Sequence, residues 1–231
     1  MRKISIGRCT LGTIPRTAAI IEEPLDLKAI RRLKALGADM LEIRVDGFPG
    51  DIDSICKYIE QVKRRAAMPL IGTIRENDKT RKHRLDYFAK VIPLVDAIDI
   101  EIDAVIARRV ITLAKGKIII VSEHDFAKTP DTRRLKAIAS QAAGLGAHIV
   151  KIAAMAHKPG DVVRLFDFIR ACPMPIVAFS MGEWGAVSRV LSMMYGSLYS
   201  YGFVSRSNAP GQLNIEKLIE ELRLYYPTLT T

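Results

Sequence analysis

A lysine stands inside an otherwise apolar run, His148-Ile149-Val150-Lys151-Ile152-Ala153, where a solvated side chain has no reason to be. In a β-strand alternate residues face opposite sides, so Lys151 and Ala153 point one way while Val150 and Ile152 point the other. A lysine held near Arg44, Arg75 and Arg189 in a partly dehydrated cavity is disposed to present a free amine, and a free amine attacks carbonyls to form a Schiff base. The plainer alternative is a lysine that only binds an anion or pairs with Glu101. His124 ends another apolar run and faces the same way as Ser122, near enough in principle to move protons at a carbon beside a Lys151 imine. His83, His148 and His157 fall in loops, a helix start or the opening of a strand, and read as surface residues.

The same alternation gathers further polar groups. Leu41, Ile43 and Val45 face outward, which turns Glu42, Arg44 and Asp46 inward together. Thr73 with Arg75, and Asp99 with Glu101, turn inward on two more strands. Five successive strands thus send ionisable groups toward one interior, mostly near their C-terminal ends. A buried lone charge is costly, so such a cluster needs mutual pairing or a polar ligand. A salt-bridge network explains any one pair, such as Glu42 with Arg44; five strands together argue for a functional site. No HExxH, CxxC or carboxylate triad points to a metal, no GxGxxG follows the first strand, and no phosphate loop is present, so neither a metal nor a cofactor is expected.

The elements that must position these groups alternate along the chain. Short Ile- and Val-rich runs at 17–22, 40–46, 70–75, 97–103, 117–124, 148–153, 175–181 and 201–205 are each followed by helical spacing, at 26–37, 52–67, 84–94, 103–115, 131–145, 160–172, 185–199 and 214–224. Eight β/α units predict an α/β fold, a parallel eight-stranded (β/α)8 TIM barrel forming a single domain over 1–231; an open doubly wound sheet is the alternative. In such barrels the C-terminal mouth carries the catalytic residues. Asp26 and Asp131 read as N-caps, Gly37 and Gly146 as helix ends, and Pro69 and Pro175 precede strands. Residues 4–11 have no helical partner and predict an N-terminal β-hairpin arm covering one end of the barrel.

With 231 residues and 49% hydrophobic content, the chain can bury one large core. Its three cysteines, Cys9, Cys56 and Cys172, are widely spaced, which predicts neither a disulfide framework nor a zinc site and fits a reducing cytoplasm. No charged leader with an apolar stretch opens the sequence, and charges interrupt each apolar run before the roughly 20 residues a bilayer span needs, so a soluble protein without a membrane partner is expected. The formal charge of +10 is spread over helical stretches such as Lys57, Lys63, Arg64 and Arg65 without interleaved aromatics, which argues against a nucleic-acid partner.

Five motifs then fall in order: Glu42-Ile43-Arg44-Val45-Asp46, Ser122-Glu123-His124-Asp125-Phe126, Lys151-Ile152-Ala153, Met181-Gly182 through Gly185 to Ser188-Arg189, and Ala209-Pro210-Gly211-Gln212. Their order and spacing resemble the type I 3-dehydroquinate dehydratases over nearly the whole chain. The resemblance implies a (β/α)8 barrel, usually a homodimer, that acts in the shikimate pathway on 3-dehydroquinate. It also implies that Lys151 forms the imine and that His124 moves the protons of a syn dehydration. By the same likeness Arg189 and Gln212 hold the substrate carboxylate, Glu42, Arg44 and Arg75 the ring hydroxyls, and Phe126 and Met181 form apolar walls. Three departures stand out: Lys79 replaces the glutamate that usually orients the histidine, with Glu76, Asp78 or Glu101 as substitutes; Asn208 replaces a serine; and Tyr201 and Phe179 occupy an aromatic and a methionine position. The rivals are a Schiff-base aldolase of the transaldolase kind and a basic binding protein. Arg189 with Gln212 fits a carboxylate rather than a sugar phosphate, and polar groups retained inside the barrel argue against the second.

Overall fold

A computed structural model describes residues 4–226. The hairpin comes first, β1 (Ile4–Ile6) paired antiparallel with β2 (Cys9–Leu11). Eight parallel strands follow: β3 (Thr17–Ile21), β4 (Met40–Arg44), β5 (Leu70–Thr73), β6 (Ala97–Glu101), β7 (Ile118–Asp125), β8 (Ile149–Met155), β9 (Ile176–Met181) and β10 (Ser200–Phe203). They lie in the order β10-β3-β4-β5-β6-β7-β8-β9, which is the predicted barrel. At the seam between β9 and β10, Leu198 N donates to Ile176 O at 2.9 Å. Serine hydroxyls there accept from strand amides that a full ladder would otherwise satisfy: Ser197 Oγ from Ala178 N at 3.1 Å and Ser188 Oγ from Ser180 N at 2.7 Å.

The helices are α1 (Leu27–Leu36), α2 (Ile52–Ala66), α3 (Arg84–Val91), α4 (Ala107–Leu113), α5 (Thr132–Leu145), α6 (Pro159–Ala171), α7 (Gly185–Leu191) and α8 (Ile215–Tyr225). No described helix is long and apolar enough to cross a membrane. Their apolar faces pack on the outward strand residues, Leu41 and Ile43 among them, while Ala18, Met40, Ile71, Ala97, Ile120, Ile149 and Val177 fill the lower barrel. Ile6, Cys9 and Leu11 join that inner cluster, so the hairpin plugs the N-terminal end and the polar residues are left at the other.

Asp26 and Asp131 accept from Ala29 N and Arg134 N, and Gly37 and Gly146 close α1 and α5 in the left-handed region, as their residue types predict. α2 ends differently: Ala67 takes φ 50°, and Lys34 Nζ donates to Ala66 O at 3.1 Å. An alanine there carries a Cβ penalty that glycine lacks, offset in part by glycine's looser unfolded chain. Ala67→Gly is therefore expected to stabilise the protein by about 0.5–1 kcal/mol, a rise of roughly 1–3 °C in thermal midpoint. An unchanged or lower midpoint would contradict the strain.

Several boundaries shift from the sequence expectation. β4 stops at Arg44 because Val45–Gly47 turns into a 3-10 helix, and β5 stops at Thr73, so Asp46 lies in that 3-10 turn and Arg75 on a loop, both just past their strands. Pro93, with no amide hydrogen, turns the end of the third helix into the 3-10 segment Ile92–Leu94. Turns over 102–106 delay α4, and α7 gives way to the 3-10 segment Ser192–Tyr195, stopped by Gly196 at φ 112°. The last strand covers Ser200–Phe203 rather than 201–205.

Candidate active site

A cavity of about 300 Å³ opens at the C-terminal ends of the strands. Lys151, His124, Glu42, Arg44, Arg75, Arg189, Asn208, Gln212, Phe126 and Met181 all line it, joined by Glu101, Phe179 and Tyr201. The register pairs Ser122 with Lys151 and His124 with Ala153, so His124 stands one inward layer above Lys151 on the neighbouring strand.

Lys151 sits at the cavity floor, 4% exposed. It shares the cavity with Arg44, Arg75 and Arg189, as the sequence leads one to expect, but its ion-pair partners are carboxylates: Asp99 Oδ2 is 2.9 Å from Nζ and Glu42 Oε2 is 3.6 Å away. Below it lies the ring of Tyr201, 4.1 Å from Nζ to the centroid, a cation–π contact. The hydroxyl of Tyr201 meets that of Tyr199 at 2.9 Å, and burial pushes both phenols well above the usual range.

Asp99 is the hub. Its Oδ1 accepts from Ser122 Oγ at 2.6 Å and lies 2.9 Å from Arg75 Nη2. Burial would raise its carboxyl, yet Arg75 first, then Lys151 and the Ser122 bond, hold it well below the ordinary carboxylate range. Arg75 also pairs with Glu101 at 3.2 Å, and buried Arg84 reaches the same Glu101 while donating Nε to Ile74 O at 2.7 Å. Arg44 is gripped by Asp46 through Nε at 3.1 Å and Nη2 at 2.9 Å. Asp46 also accepts from Arg75 N at 3.1 Å, which ties these two residues together just past their strands.

His124 stacks against the exposed Phe126, centroids 6.3 Å apart. Burial, then the charges of Arg75 and Lys151, hold its imidazole well below the usual pKa, so it is neutral near pH 7 and able to accept a proton. Lys79, at the usual glutamate position, is exposed. Of the substitutes, Asp78 is fully exposed and Glu76 pairs with Arg81 at 3.2 Å. Glu101 alone of the three lines the cavity with His124.

Arg189 differs from every other cation here. It is 1% exposed, and its Nε and Nη2 have no hydrogen-bond partner among the described residues. It rests on the face of Phe179 at 4.1 Å, and burial lowers its pKa to about 9. A buried guanidinium at a cavity, with donors its protein neighbours do not engage, suits an anionic group. Gln212 lines the same cavity, placed by the loop before α8, where Gly182 N donates to Pro210 O at 3.1 Å and Gly211 packs so close that a Cβ would stand 2.1 Å from Gly182 O. Gln212 Oε1 accepts from Asn208 N at 3.0 Å, which leaves its amide nitrogen free to donate. Asn208 Nδ2 is spent on Glu22 at 3.0 Å, so this side chain faces the rim more than the cavity floor.

Alternation could place Asp99 and Ser122 inward but not reveal that Asp99 joins Arg75 to Lys151. Glu22 and Arg84 were missed; nothing in their local sequence signals a reach across the barrel mouth.

The family model described as Type I 3-dehydroquinase matches residues 22–228. The 3-dehydroquinate dehydratase of Methanocella arvoryzae is 36% identical over 198 residues, 82% of this chain and 89% of that protein. That of Methanococcoides burtonii is 32% identical and covers 96% of this chain and 99% of its own length. Among solved structures, a type I 3-dehydroquinate dehydratase from Clostridium difficile with covalently modified comenic acid matches with a TM-score of 0.86 at 26% identity, over 98% of both chains.

Proposed function

Because the chain belongs to the type I 3-dehydroquinase family, whose lysine Schiff base dehydrates 3-dehydroquinate to 3-dehydroshikimate, we propose that Lys151 is that lysine and His124 the proton carrier. The reaction is a step of the shikimate pathway toward aromatic amino acids. Lys151 parts from Asp99 and adds as an amine to the substrate ketone; loss of water gives an iminium. That cation acidifies the neighbouring carbon, and neutral His124 takes its proton. The same imidazolium then protonates the departing hydroxyl, water leaves, and hydrolysis of the imine frees product and Lys151.

The observation that carries this assignment is Arg189. The other arginines lining the cavity already face carboxylates, so the substrate carboxylate pairs with Arg189, the cavity-lining arginine whose Nε and Nη2 find no partner among the described residues. Gln212 adds its amide nitrogen. Glu42, Arg44 and Arg75 take the ring hydroxyls, and Phe126 and Met181 line the apolar side. The proposal extends to one domain over 1–231, of which 1–3 and 227–231 lie outside the described residues, to a cytoplasmic setting, supported by the free cysteines, and to a homodimer, supported by exposed Val187, Leu224 and Tyr225 on α7 and α8.

The test is to mix protein with 3-dehydroquinate, add borohydride and map adducts by peptide mass spectrometry. The expected result is one reduced adduct on Lys151, with enone absorbance rising before reduction. An adduct on a different lysine would overturn the residue assignment.

A further inference from the structure

Glu22 lies one residue past β3, its side chain only 15% exposed. Its Oε1 accepts from Asn208 Nδ2 at 3.0 Å and stands 3.4 Å from Arg44 Nη1, while its Oε2 lies 3.4 Å from Arg206 Nε. Asn208 and Arg206 belong to the loop between β10 and α8, more than 180 residues away in sequence. Arg44 belongs to the cavity wall. One carboxylate therefore ties the rim loop to a substrate-facing arginine.

The two sides of this loop are held by different means. On the β9 side the anchors are backbone: Pro210 O accepts from Gly182 N, and Gly211 sits against the Gly182 carbonyl. On the β3 side the contacts are side-chain bonds to Glu22, which can break and re-form. Gln212 follows the backbone anchor directly, and its Oε1 accepts from Asn208 N at 3.0 Å, which joins it to the Glu22 side. Arg44 keeps its two bonds to Asp46 whether or not Glu22 is present, so the loop is what Glu22 chiefly holds.

We infer that Glu22 is a positioning residue that latches this loop over the cavity and couples its closure to Arg44. It need not touch substrate to act. The coupling rests on the cavity being the substrate site; the latch itself does not. Charge-assisted hydrogen bonds are the stronger kind, although partial exposure weakens these.

Arg206 supplies the assay, since it is exposed and trypsin cuts after arginine. In substrate-free protein, Glu22→Ala is expected to speed cutting after Arg206 by roughly tenfold, with cutting at exposed Arg81 and Lys82 unchanged. Asn208→Ala should reproduce most of that gain, and the double variant should add little to either single one, because both changes break the same bond. Unchanged cutting after Arg206, additive effects, or equal acceleration at Arg81 and Lys82 would each overturn the latch. In turnover of 3-dehydroquinate, Glu22→Ala should raise KM by about tenfold with kcat within about threefold, the pattern of lost uniform binding. Faster cutting with an unaltered KM would overturn the coupling, whereas absence of turnover in the unmodified protein would count against the functional reading and leave the proteolysis to judge the latch.

Discussion

Lys151→Ala is expected to lower turnover of 3-dehydroquinate by about 10⁴-fold or more, on the scale seen when a covalent nucleophile is deleted, and to abolish borohydride trapping. Among the described residues no other lysine lines the cavity, so none of them offers a second amine to replace it. The change also takes a buried cation from Asp99 and Glu42. Removing one member of a buried ion pair can cost about 3–5 kcal/mol, but Asp99 keeps Arg75 at 2.9 Å and Ser122 at 2.6 Å, which limits the loss. Circular dichroism and a thermal melt should therefore show a folded variant, so that lost activity reports lost chemistry. Near-normal turnover in a folded Lys151→Ala protein would sink the Schiff-base assignment. Lys151→Met, which restores much of the apolar stem without the amine, should be more stable than the alanine variant and equally inactive.

The barrel was legible because its two signals are local. Alternation separated Leu41 and Ile43 from Glu42, and caps such as Asp26 and Gly37 depend on a few adjacent residues. What escaped was set by tertiary geometry. Alternation puts Arg75 on a strand, but β5 ends at Thr73; Asp46 captures the Arg75 amide, and Asp99 and Glu101 hold its guanidinium in the site. Periodicity gives direction and not distance: it turns Lys151 into one cavity with Arg44, Arg75 and Arg189 but does not show that Asp99 and Glu42 are the neighbours within ion-pair range. Arg84 opens a helix and carries no local mark of a buried role, yet its long side chain reaches Glu101. Glu22 joins a loop at the other end of the chain, a contact that no short window of sequence contains.

His124→Ala should separate imine formation from the proton transfers that follow it. Removal of a general acid–base is expected to cost about 10²–10⁴-fold in kcat, while borohydride still labels Lys151, because amine addition does not require the imidazole. Loss of labelling together with turnover would mean that His124 acts before the imine, and kcat within about tenfold of the unmodified protein would remove it from the mechanism, leaving Glu101 as the cavity carboxylate to test. The pH dependence carries a second, independent check. Burial and the charges of Arg75 and Lys151 hold the imidazole well below its ordinary value, so the base form persists as pH falls past about 6.5. The acid limb of kcat/KM that belongs to His124, which reports the substrate-free protein, is thus expected below the normal histidine range. The sign for stability follows from the same shift. Unfolded chain binds the histidine proton near pH 6.5 and folded protein does not, so this contribution to stability is whole above that pH and erodes as pH falls toward the folded value. His124→Ala should remove that erosion, and a variant that loses stability below pH 6.5 as steeply as the unmodified protein would show that other groups set the acid response.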